Sequence, residues 1–91
     1  MTDLEILSSD VIALQNQLRA ASLRALEIIT VTDGELAEEL LQTFGNADFA
    51  ASWLVLSQPH FNGKNPLEVL SGGQRGEVVN VLQRIQFGIC A

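Results

Sequence analysis

SWLVLSQPHFNGKNPLEVL, residues 52–70, is the stretch on which the fold turns. An apolar helix ends near Ser57, a compact loop occupies 58–64, and Asn65-Pro66-Leu67-Glu68 opens a new helix. Asn is a preferred N-cap, Pro suits the first helical position, and a Glu at the third can reach back to the cap. Two helical halves are therefore joined through one defined corner, with Trp53, Pro59, Gly63, Asn65 and Pro66 as its structural residues.

Upstream of the corner, Asn46 is expected to cap a helix over 47–56, with Phe49, Trp53 and Leu56 on one face. Gly45 is the expected stop of a preceding helix over 33–44. Thr32 and Glu35 form a capping box for that helix, and Leu36, Leu40 and Phe44 its apolar face. Further back, residues 2–29 read as one long helix. Thr2 with Glu5 offers one start and Ser8-Ser9-Asp10 another, with the main helix beginning near Ser9. Leu4, Leu7, Val11, Leu14, Leu18, Ala21, Ala25 and Ile28 step by threes and fours, which is a heptad seam. The pattern has two readings, a helical dimer or the buried stripe of a bundle helix. The stripe is favoured, because the flanking positions lack charge pairs and Ile12, Leu23 and Leu26 widen the apolar face. The β-branched run 28–32 has no second strand to pair with and reads as a frayed helix end and a short connection.

Downstream of the corner, a short helix over 66–70 ends at Ser71-Gly72-Gly73. A last helix follows over 74–87, with Val78, Val81, Leu82 and Ile85 on one face. Gly76 in its first turn is expected to permit close packing on a neighbour. Gly88 closes the helix, and Ile89-Cys90-Ala91 form a stub beyond it. The predicted fold class is all-α, a small bundle of about five helices with a long N-terminal helix. It forms one domain over 1–91, in which 1–45 carries a possible dimerisation element and 46–91 the corner and last helix.

Ninety-one residues support a real but small core. Hydrophobic residues make up 47% and charged ones 18%, so the chain folds, and a monomer would leave apolar surface exposed. That points to a partner, and to a homo-oligomer, most simply a dimer. Five Lys/Arg stand against eleven Asp/Glu, which argues against nucleic-acid binding through phosphate neutralisation. One cysteine leaves no internal disulfide framework and fits a reducing cytoplasm. The acidic start MTDLEILSSD lacks the basic region of a secretory leader, and no apolar run reaches membrane-spanning length.

Little in the chain points to catalysis, and no cofactor is expected. His60 and Cys90 are the only imidazole and thiol, too few ligands for a metal and without an orienting third group for a nucleophile. Ser71-Gly72-Gly73-Gln74-Arg75-Gly76 lacks the Gly-Lys-Ser/Thr element of a phosphate loop and reads as a helix–helix turn. Glu35, Glu38 and Glu39 read as a solvated helix face. Phe49, Trp53, Phe61 and Phe87 read as core, with an exposed Trp53–Phe61 ridge as the sharper alternative. The helix pair 33–44 and 47–56 has the outline of a helix-turn-helix, but the second helix carries no Arg or Lys to read bases.

The order Thr43-Phe44-Gly45-Asn46, Trp53-Leu54, Pro59, Gly63, Pro66-Leu67-Glu68-Val69-Leu70, Gly76 and Arg84-Ile85-Gln86-Phe87-Gly88 resembles the antitoxin Xre/MbcA/ParS-like toxin-binding domain family. The resemblance covers roughly the C-terminal half. It implies a non-enzymatic type II antitoxin that neutralises a RES-type, NAD-degrading toxin by placing its C-terminal end in the toxin's active-site cleft. By position it nominates Arg84, Phe87, Gly88, Ile89, Cys90 and Ala91 as partner-binding residues. Many relatives also carry an N-terminal DNA-binding helix-turn-helix, and residues 1–45 are too few and too acidic to show one. Two alternatives stand beside this reading: a transcriptional regulator with a degenerate helix-turn-helix, and an oligomeric adaptor held by the Leu4–Ile28 seam.

Overall fold

A computed structural model describes residues 2–88 as five α-helices and one 3₁₀ turn, with no strand among the described residues. The helices are α1 (Asp3–Thr32), α2 (Gly34–Phe44), α3 (Ala47–Leu54), α4 (Pro66–Ser71) and α5 (Arg75–Phe87), and the turn is Pro59–Phe61. The all-α bundle with a long first helix is as the hydrophobic periodicity predicts.

The caps explain most of the boundaries. The Thr2 side chain accepts from the Glu5 N–H at 3.2 Å, and the Glu5 carboxylate accepts from the Thr2 N–H. This capping box starts α1 at Asp3, so the later start near Ser9 is not used. The helix then runs through the β-branched segment to Thr32. Thr30 and Thr32 donate their hydroxyls to the carbonyls of Leu26 and Ile28, which satisfies both hydroxyls within the helix. Asp33, not Thr32, caps α2, accepting from the Leu36 N–H at 3.3 Å. Gly45 ends α2 in the left-handed region at φ 84°, and Asn46 caps α3 through the Phe49 N–H at 2.9 Å.

The chain folds back on the second half of α1. α3 begins at the level of Arg19, whose guanidinium lies 3.3 Å from the Asp48 carboxylate. Small side chains, Ser22 on α1 and Ala50 and Ala51 on α3, are buried where these two helices pack. The Ser22 hydroxyl is satisfied by the Arg19 carbonyl at 2.8 Å. Leu26, Ile29, Leu36, Leu40, Leu54, Val69, Val78 and Leu82 are among the larger side chains of the core. Burying each of these side chains contributes about 1.5–3 kcal/mol.

Two expectations fail here. The stripe from Leu4 to Leu18 is not buried: every described residue before Ser22 is exposed. A helix of 30 residues is about 45 Å long, close to the 48 Å long axis of the molecule. The bundle therefore covers only its second half. Gly76 does not serve close packing either, because no atom lies within 4 Å of where its Cβ would be.

Candidate protein-binding surface

The corner after α3 closes on its own backbone. The Gln58 N–H donates to the Lys64 carbonyl at 3.0 Å, and the Gly63 N–H donates back to the Gln58 carbonyl at 3.1 Å. Asn62 and Gly63 both take positive φ, 58° and 85°, which turns the chain within two residues. Inside the loop, Phe61 is buried and meets Trp53 edge-on with ring centroids 6.4 Å apart. Trp53 in turn tilts against Phe44 at 5.3 Å. The aromatic file Phe44–Trp53–Phe61 ties α2, α3 and the corner together, so Trp53 and Phe61 are core and form no exposed ridge.

Asn65 and Glu68 form the expected capping box, with the Glu68 N–H donating to the Asn65 side chain at 2.9 Å and the Asn65 N–H donating to the Glu68 carboxylate at 3.2 Å. Pro66 at the first helical position is fully buried. Gly73 at φ 79° ends the turn after α4, and the Gln74 N–H reaches the Val69 carbonyl at 3.1 Å. α5 leaves from this turn.

Two side-chain clamps hold α5 along α2. Arg75 at its start makes a two-pronged contact with the Asp33 carboxylate, one prong at 3.2 Å. Gln86 near its end donates to Gln42 at 3.3 Å. Starts meet and ends meet, so α2 and α5 run parallel. The Arg75 fork lowers the Asp33 pKa from its ordinary value, partly opposed by desolvation and helped by the Leu36 N–H.

Between the corner and α5 lies a groove of about 520 Å³. Its buried lining is Phe61, Val69 and Val81, and its exposed lining includes Lys64, Glu77, Asn80 and Arg84. Two of the chain's five Lys/Arg thus meet at one groove of a protein with net charge −6. Residues 20 apart in sequence are brought together by the corner, and no local signal announces this. Phe87, one turn beyond Arg84, is 68% exposed, and Gly88 stops the helix at φ 68°. Of the nominated partner-binding residues, Arg84, Phe87 and Gly88 therefore cluster at the exposed end of α5. Ile89, Cys90 and Ala91 lie outside the described residues. Of the corner residues, Trp53 and Pro66 are buried supports, Asn65 is half-buried, and Pro59 and Gly63 are exposed.

Phe49 and Leu56, expected on the buried face of α3, are 62% and 54% exposed. The helix ends at Leu54, so Leu56 leaves its helical phase, while Phe49 sits in the first turn. Among the described residues no group of three or more His, Cys, Asp or Glu side chains could hold a metal ion. No helix among them is long and apolar enough to cross a membrane. No family model, curated protein or solved structure matches the chain.

Proposed function

We propose that the chain is a non-enzymatic toxin-binding module, an antitoxin that neutralises a RES-type, NAD-degrading toxin in the cytoplasm by steric blockade. The blocking element is the end of α5 with the residues after it. The observation that carries this reading is the exposed Phe87 at a glycine-stopped helix end, held in one direction by a self-closed corner and two clamps to α2. Aromatic and Arg side chains are the common anchors of protein interfaces, and Arg84 and Phe87 lie on one face of α5. The family-like order of motifs from Phe44 to Gly88 supplies the class of partner.

The test is co-expression with the product of the neighbouring gene. The full chain should restore growth, and a chain truncated after Arg84 should not. Equal protection by the truncated chain, or a neighbouring product without toxicity, would sink the proposal.

A further inference from the structure

The half of α1 that the bundle leaves uncovered carries Leu4, Leu7, Val11, Leu14 and Leu18 on one stripe, between 49% and 78% exposed. These five side chains expose on the order of 500 Å² per copy. Two copies facing one another would bury on the order of 1,000 Å² or more, the area that a specific interface needs. Helices in proteins draw most of their stability from packing of an apolar face, and this face has no packing partner within the described residues.

Charge selects the partner and its direction. All three acids of the overhang, Asp3, Glu5 and Asp10, lie in its N-terminal half, and the two bases of α1, Arg19 and Arg24, lie beyond it, Arg19 in contact with Asp48 and Arg24 one turn before Glu27. A parallel pair would set each acid beside its own copy and force two bundles side by side. An antiparallel pair sets acidic ends against basic ends, opposes the helix dipoles and places the bundles at opposite ends.

We propose that α1 pairs antiparallel with α1 of a second copy, about a two-fold axis between Ile12 and Ala13. In this register Leu4 layers on Ala21, Leu7 on Leu18 and Val11 on Leu14 of the other copy, and Asp3 flanks Arg24. At 3.6 residues per turn the stripe drifts off the bundle-facing side of α1 as it descends. On its continuation Ala21 is exposed and Ala25 packs half-buried against the core, and in this register the incoming helix ends beside Ala21 and Ser22, before Ala25. The inference is independent of the toxin-binding reading, which uses the other end of the molecule.

Light scattering of the full chain is expected to give twice the 9.9 kDa chain mass, and Leu14→Glu to give a folded monomer. With Cys90→Ser as background, a mixture of Leu7→Cys and Leu18→Cys chains should form the mixed disulfide on oxidation, with neither variant cross-linking to itself. A monomeric full chain at high concentration, a dimeric Leu14→Glu protein, or Leu7–Leu7 cross-linking through the introduced thiols would each overturn the proposal.

Discussion

Asp33 and Arg75 stand 42 residues apart in sequence and form a two-pronged contact between the start of α2 and the start of α5. The same carboxylate caps α2 through the Leu36 N–H. One side chain therefore sets a helix boundary and fixes the direction of the helix that ends in Phe87.

These two roles separate by substitution. Asp33→Asn keeps an acceptor for the cap and loses the charge, whereas Asp33→Ala loses both. The cap alone is worth about 0.5–2 kcal/mol, so Asp33→Ala should melt several degrees below Asp33→Asn. The folded pKa of Asp33 lies below its ordinary 3.8. Its ion-pair stabilisation is therefore full above that value and lost as pH falls through the lower, folded pKa. The stability gap between the native chain and Asp33→Asn should shrink across this acid range. A gap that stays constant between neutral pH and pH ~3 would show that Asp33 does not act through its charge.

Trp53 and Phe49 share α3 but differ in exposure, 7% against 62%. Trp53→Ala should cost about 3–5 kcal/mol in urea unfolding, a large part of the ~5–15 kcal/mol that holds a domain together. Phe49→Ala should stay within about 0.5 kcal/mol. Comparable losses at both sites would contradict the aromatic file.

Gly63 and Gly76 should respond to alanine with opposite signs. Neither has an atom within 4 Å of the added Cβ. Gly63 holds φ 85°, where an L side chain costs about 1–2 kcal/mol. Gly76 sits in the first turn of α5 at an ordinary helical conformation, where alanine should gain up to about 1 kcal/mol. Melting temperatures of the two variants decide this, and Gly63→Asn should fall between Gly63→Ala and the native chain.

Phe87→Ala removes a side chain that is 68% exposed, so the melting temperature should hold. If Phe87 anchors the toxin, affinity should fall by about 2 kcal/mol, roughly 30-fold. Titration calorimetry against the toxin measures it, and unchanged affinity would remove Phe87 from the interface.

The helices and their stops were legible in the sequence because their causes are local. Thr2 with Glu5, Asn46 with Phe49 and Asn65 with Glu68 act over three residues, and Gly45 and Gly88 stop helices by their own backbone freedom. One local signal misled: Thr32 with Glu35 has the form of a capping box, yet α1 extends to Thr32 and Asp33 caps instead. The periodicity of α1 gave its apolar face correctly and the fate of that face incorrectly. A heptad pattern records which side of a helix is apolar, not how far its neighbours reach.

Sequence alone thus determined the all-α class, the order of helices and the corner at residues 58–66, through interactions closed within a turn or two of chain. Only the tertiary structure decided where the core ends along α1, the parallel setting of α5 on α2, and the meeting of Lys64 with Arg84 at one groove. Each of these depends on where a distant helix comes to rest, which short-range chemistry does not encode.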